Sequence, residues 1–167
     1  MKAGSYYYDA VLWAVENGIT KGTSETMFSP DATCSRAQIV TFLWRAAGCP
    51  EPRRTTNPFV DVQKGSYCYK AVLWAYENGI TNGTDASHFS PGKTIPKQQA
   101  IMLIYNYCGK PAVSGTEPYS DVTTGDYYYK AVLWAYKNGI AEGGSYFGVG
   151  NVCPRWQLVQ YMYLAMN

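Results

Sequence analysis

Ala10-Val11-Leu12-Trp13-Ala14-Val15-Glu16-Asn17-Gly18-Ile19 returns as Ala71-Val72-Leu73-Trp74-Ala75-Tyr76-Glu77-Asn78-Gly79-Ile80, and again as Ala131-Val132-Leu133-Trp134-Ala135-Tyr136-Lys137-Asn138-Gly139-Ile140. Copies spaced about sixty residues apart are an internal repeat, so the chain reads as three related units. In the first copy Tyr8, Val11, Leu12 and Val15 follow the i, i+3, i+4, i+7 spacing of a helix stripe. Asn17-Gly18 predicts the end of that helix, because glycine adopts the left-handed position cheaply and Ile19 can fold back over the last turn. A loop follows, with Gly22-Thr23 and Phe28-Ser29-Pro30 matched by Gly83-Thr84 and Phe89-Ser90-Pro91. The third loop, Gly143-Gly144-Ser145-Tyr146-Phe147-Gly148-Val149-Gly150, is shorter and lacks Phe-Ser-Pro.

Beyond the loop, Cys34-Ser35-Arg36-Ala37-Gln38-Ile39-Val40-Thr41-Phe42-Leu43-Trp44 predicts a second helix. Ser35 and Gln38 have capping-box spacing. Pro96 and Pro154 take the corresponding place in the later units, where proline's missing N–H costs nothing. With successive residues about 100° apart, Arg36, Ile39, Val40, Leu43 and Ala47 share one face. A cation therefore sits in the first turn of the inward stripe, and Lys97 and Arg155 repeat it. A helix start is already positive and a buried charge needs a partner, so something negative is expected beside each.

The fold expected is all-α, with three helix-loop-helix repeats at residues 1–49, 57–110 and 117–167 forming one compact domain. The connections carry Pro50, Pro52 and Pro58, then Pro111, Ser114, Gly115 and Pro118. They end in Phe59-Val60-Asp61-Val62 and Tyr119-Ser120-Asp121-Val122. No such tetrad precedes Tyr6-Tyr7-Tyr8, which reads as a longer chain cut just inside a repeat.

Composition excludes several classes. With 47% hydrophobic and 16% charged residues in 167, the chain is globular rather than disordered. A formal charge of +2 gives no broad basic field, so nucleic acid is not an expected partner. No apolar run approaches the roughly 20 residues of a membrane span. Met1-Lys2-Ala3-Gly4 is followed by no apolar core of a signal peptide, leaving either a cytoplasmic protein or a piece of a longer exported one. The five cysteines, Cys34, Cys49, Cys68, Cys108 and Cys153, are odd in number and lack C-x-x-C spacing. That argues against zinc and a full disulfide framework, and leaves one or two bridges beside free buried thiols. His88 stands alone as an exposed loop residue, so no metal is expected. No G-x-S-x-G, H-E-x-x-H, Walker or Rossmann motif occurs. Asp61 and Asp121 belong to different repeats, which keeps apart the carboxylates a glycosidase needs close together. Neither an enzyme nor a cofactor is expected.

The succession F-x-D-V, A-V-x-W-A, N-G-I-x-x-G, F-S-P and a T-R-A-E-like tetrad resembles the S-layer homology repeat of bacterial cell-surface proteins. Here the tetrad reads Ser35-Arg36-Ala37-Gln38, Pro96-Lys97-Gln98-Gln99 and Pro154-Arg155-Trp156-Gln157. The resemblance implies a bacterial protein, secreted to the cell surface, whose repeats pack about a pseudo-threefold axis as a helical spindle. It implies binding of secondary cell-wall polysaccharide, often pyruvylated, in grooves between neighbouring repeats, through the tetrad cation matched by Arg36, Lys97 and Arg155. Only the first tetrad keeps close to the family form, so Arg36 is the first choice and the other grooves are expected to be weaker. The domain alone is expected to be a monomer and part of a larger surface protein.

Two readings stand for each candidate. The three cations either pair across repeats with Asp61 and Asp121, or offer outer donors to a ligand carboxylate, and both can hold at once. Trp13, Trp74 and Trp134 lie about 150° from the apolar stripe. They are either buried between two neighbours, the favoured reading, or form a wall on which sugar stacks. Gly22, Gly83 and Gly143 are expected to let a ligand approach backbone N–H groups. The tyrosine clusters at Tyr6-Tyr7-Tyr8, Tyr67-Tyr69 and Tyr127-Tyr128-Tyr129 suggest a second function, a face that binds protein or joins a surface lattice.

Overall fold

The computed structural model describes residues 4–167. Met1-Lys2-Ala3, part of the stretch read above for a leader, lies outside the described residues. Six helices follow one another: α1 (Tyr8–Glu16), α2 (Arg36–Ala46), α3 (Tyr69–Glu77), α4 (Lys97–Tyr107), α5 (Tyr129–Lys137) and α6 (Arg155–Met166). Among the described residues there is no strand, only isolated bridges, and the chain is all-α with two helices per repeat.

Local signals act where expected. Gly18 takes φ +67°, and the Ile19 N–H reaches back to Ala14 O at 2.8 Å, closing α1. At α2 the Gln38 N–H donates to Ser35 Oγ at 3.3 Å while the Ser35 N–H donates to Gln38 Oε1 at 2.8 Å, a complete capping box. Pro96 and Pro154 are the N-caps of α4 and α6.

The packing unit is not the sequence unit. Each first helix lies on the second helix of the preceding repeat, α3 on α2 and α5 on α4, and α1 completes the series on α6. The starts of the inner helices are knitted together as well: Ser35 bridges Thr94, Pro96 bridges Val152 and Thr33 bridges Pro154. Cys34, Ile95 and Cys153 occupy equivalent buried positions at this junction. The Ile95 N–H donates to Cys34 O and the Cys153 N–H to Ile95 O, each at 3.0 Å. All five thiols are unpaired, with Cys34, Cys68 and Cys153 buried.

Two expectations about helix faces are corrected. In α1 the buried residues are Ala10, Val11 and Ala14, while Leu12 and Val15 are 38% and 48% exposed. The equivalent Leu73 and Leu133 are buried. At the place of Val15, Tyr76 and Tyr136 meet the tetrad rings Phe59 and Tyr119 edge-on. No tetrad stands before α1 in this sequence to do the same. Ala47, placed above on the inward face of α2, is its exposed C-cap.

Candidate ligand grooves between the repeats

Of the helix-start cations, Arg36 finds its negative partner in the neighbouring loop's backbone. Arg36, buried at the start of α2, donates from Nε to Phe89 O at 2.8 Å and from Nη1 to Gln99 Oε1 at 3.2 Å. Its guanidinium lies 5.0 Å from the Phe89 ring centroid. Arg155 reaches the first repeat: Nη2 donates to Thr20 Oγ1, and the guanidinium sits 5.0 Å from both the Phe28 and Phe42 rings. Lys97 points to the third repeat, half-buried, with Nζ beside Gly148. Burial lowers both guanidinium pKa values from the usual one, yet arginine remains charged at neutral pH.

The expected pairing with Asp61 and Asp121 does not form. No ion pair within 4.0 Å joins either carboxylate to a tetrad cation, the pairs among the described residues being Lys70–Glu51 and His88–Asp85. The aspartates instead clamp their own repeat's loop. Asp61 accepts from the N–H groups of Phe89 at 2.9 Å and Ser90 at 2.7 Å. Asp121 accepts from Phe147, Gly148 and Val149 at 2.7–2.8 Å. The helix starts are also not open anion cradles. The N–H groups of Arg36 and Ala37 donate to Lys93 O and Pro91 O, and those of Arg155 and Trp156 to Ala32 O and Pro30 O.

The tryptophans go to helix packing. Trp74 and Trp134 are buried and Trp13 is half-buried. They meet Tyr107, Tyr105 and Tyr163, and none lines the two clefts described next. The N–H groups of Gly22 and Gly83 are engaged within their own loops, donating to Thr20 Oγ1 at 3.2 Å and Thr81 Oγ1 at 3.1 Å. Both have positive φ, and a Cβ on Gly83 would stand 2.5 Å from His88 O and from the Phe59 ring. Gly143 differs, because Ala141 replaces the threonine and offers its N–H no hydroxyl.

Arg155 and Lys97 each line an open cleft between repeats. The first, about 320 Å³, joins Thr20, Lys21, Gly22, Gln38, Thr41, Phe42 and Arg45 of the first repeat with Tyr67 and Arg155. Three cations and no carboxylate border it. The other, at the third repeat and about 260 Å³, is bordered by Lys97, the 139–143 segment, Tyr146 and Phe147, α6 from Trp156 to Leu164, and Tyr6. Lys97 there shares the border with a carboxylate, Glu142. Tyr6 and Tyr67 hold equivalent places at the two lips and are 66% and 65% exposed, as is Tyr127 at 67%.

Lys21, Arg45, Glu142 and Gln160 escaped the reading of sequence, and Gln157 appeared there only as part of its tetrad. Their signal lies in comparing the repeats position by position. Lys21, Asn82 and Glu142 are equivalent, as are Arg45, Asn106 and Leu164. Both positions vary in charge among the repeats, the first of them inside an unchanging Asn-Gly-Ile-x-x-Gly frame. Among the described residues no group of three His, Cys, Asp or Glu side chains could hold a metal, and no helix is long and apolar enough to cross a membrane.

Known proteins share this pattern. Over 154 residues the chain is 28% identical to the surface-layer 125 kDa protein of Lysinibacillus sphaericus, covering 92% of this chain and 13% of that protein. It is 32% identical over 108 residues to an endoglucanase of Bacillus sp. (strain KSM-635), covering 64% and 11%, respectively. A cell surface protein of Thermoanaerobacter kivui is 25% identical over 113 residues, covering 65% and 15%. The chain thus spans no more than 15% of the length of any of these relatives. The S-layer homology domain model matches residues 1–40, 58–101 and 118–151, once in each repeat. With most of its length matched in this way, the chain belongs to the S-layer homology domain family.

Proposed function

We propose that this chain is a non-catalytic module that holds a larger secreted protein on the bacterial cell surface by binding an anionic, pyruvyl-bearing wall polysaccharide between its repeats, read as 1–49, 57–110 and 117–167. Kinship with surface-layer and cell surface proteins supports the location. The observation that carries the ligand class is the cleft of Lys21, Arg45 and Arg155, which has three cations and no carboxylate on its border. A ketal carboxylate entering it gains charge-assisted hydrogen bonds, and the hydroxyls of Thr20, Thr41 and Tyr67 suit the sugar that carries it. Arg36 and Lys97 are the matching groups of the other two grooves. Asp61, Asp121, Gly22 and Gly83 act on the site through loop shape.

The test uses purified wall polysaccharide. Lys21→Glu, at an exposed position, should weaken binding about tenfold or more and flatten its dependence on salt, as expected when a cation beside a bound anion is reversed. Removing the pyruvyl groups should weaken the wild type by a similar factor. Equal binding of glycan with and without pyruvyl groups, or equal binding by wild type and an Arg36/Lys97/Arg155 triple alanine variant, overturns the reading. Capture by whole walls should survive protease treatment and be lost when glycan is stripped. The reverse result would identify a protein partner.

A further inference from the structure

The three inter-repeat grooves are built from equivalent positions of the repeat but differ in charge. At the first, Lys21 and Arg45 accompany Arg155. At the second, Asn82 and Asn106 hold the equivalent positions and leave Arg36 as the cation. At the third, Glu142 and Leu164 hold them, and Glu142 offsets Lys97. The gradient runs from strongly cationic to neutral around one small domain.

Hydrogen-bonding capacity changes along the same series. The glutamine in the first turn of each inner helix is Gln38, Gln99 or Gln157. Gln38 Oε1 accepts from the Ser35 N–H, and Gln99 Oε1 accepts from Arg36 Nη1. Gln157 Oε1 is buried with no partner, and so is Gln160 Oε1 one turn further on. Both residues line the third cleft. Two buried acceptors without donors are costly when nothing is bound and favour a ligand that brings donors. A carboxylate brings acceptors only, and meets Glu142 as well. A sugar ring brings hydroxyls, and an N-acetylated one adds an amide N–H.

The walls suit a ring. Trp156 is held by Tyr6 edge-on at 5.0 Å and by Tyr7 stacked at 5.7 Å and 26°. Tyr146 across the opening is 73% exposed. Flat aromatic faces with polar rims take the C–H face of a pyranose. At about 260 Å³ the cleft falls below the roughly 300–1,000 Å³ of drug-sized sites, and is matched to one ring.

We propose that the third cleft, between Lys97, Glu142 and α6, is a subsite for an uncharged hexosaminide ring whose hydroxyl or acetamido groups donate to Gln157 and Gln160, while anionic residues of the same polymer occupy the first cleft. This deepens the function given above and rests on it. The domain then reads two chemically different sugars on one strand.

The test titrates the whole isotope-labelled domain with methyl N-acetylglucosaminide and, separately, with its 4,6-pyruvyl ketal. The side-chain amides of Gln157 and Gln160 and the Trp156 indole N–H report the third cleft; the Thr20 and Gly22 amides report the first. The neutral glycoside should shift the third-cleft signals saturably, and the ketal should shift those of the first. Glu142→Lys combined with Leu164→Arg, two exposed positions, should weaken the neutral glycoside about fivefold or more and let the ketal bind at the third cleft. A neutral glycoside that leaves Gln157, Gln160 and Trp156 unmoved at tens of millimolar overturns the proposal, as does a ketal that binds the unaltered third cleft at least as tightly. A ketal that leaves Thr20 and Gly22 unmoved overturns the anionic first cleft alone, and the neutral arm is then scored on its own signals.

Discussion

Asp121 illustrates what a single residue does here. Its carboxylate receives three consecutive loop N–H groups, an arrangement that favours the charged form. Burial pushes its pKa up, but the Val149, Phe147 and Gly148 donors outweigh it and hold the group below the ordinary carboxylate value. Because the folded pKa is depressed, the stability it contributes is complete above the unfolded value of about 3.9 and is lost as pH falls through the folded value. Asp121→Ala should lower unfolding free energy at pH 7 by on the order of 2 kcal/mol. It should also shrink the stability lost between about pH 5 and pH 2, followed by urea unfolding across that range. An unchanged acid limb would mean that the loop does not depend on this clamp. The same residue marks the limit of sequence reading. The F-x-D-V motif flagged Asp61 and Asp121, and charge alone suggested the tetrad cations as partners. The carboxylates went to backbone donors of their own repeat, while Arg36 took a carbonyl and a ring face, and Arg155 a hydroxyl and two ring faces, across the repeat boundary.

At the level of the element, helix positions and ends were legible because periodicity, capping box and Asn-Gly stop act within a few residues of chain. Faces were not. Leu12 and Leu73 share the same Ala-Val-Leu-Trp-Ala context, yet one is 38% exposed and the other 2%. Leu73 lines a cleft together with Glu51, Pro52 and Arg54 of the preceding connection. The difference is made by chain far from the helix, which no local pattern encodes. Leu73→Ala should cost about 2–4 kcal/mol in denaturant unfolding, and Leu12→Ala under about 1 kcal/mol. Equal costs would show that burial on α3 is not what the connection supplies. The grooves obey the same logic. Tetrads read singly pointed to Arg36 as the leading site, whereas the charge of each groove is set by residues such as Lys21, Arg45 and Glu142 on other elements.

For the molecule as a whole, the exchange of helices between neighbouring repeats matters most. The period announced three units, but inward faces on every helix say only that each is buried, not against which partner. Because α1 lies on α6 rather than on α2, the first element of the chain depends on the last. Trp13 meets Tyr163, and Tyr7 stacks on Trp156, across that closure. Arg155 carries the dependence into the binding cleft, since the first repeat's groove takes one of its three cations from the third. A chain ending at residue 110 should therefore lose more than α5 and α6. The nine-residue α1 has no partner left, and a single short helix is marginal in water. Its amides should exchange at nearly the unfolded rate, while those of α3, still seated on α2, keep measurable protection. The truncated chain should also fail to bind wall polysaccharide at its first groove even though it retains Lys21 and Arg45. Protection of α1 equal to that of α3 in this fragment would show that ring closure is not what holds the first helix.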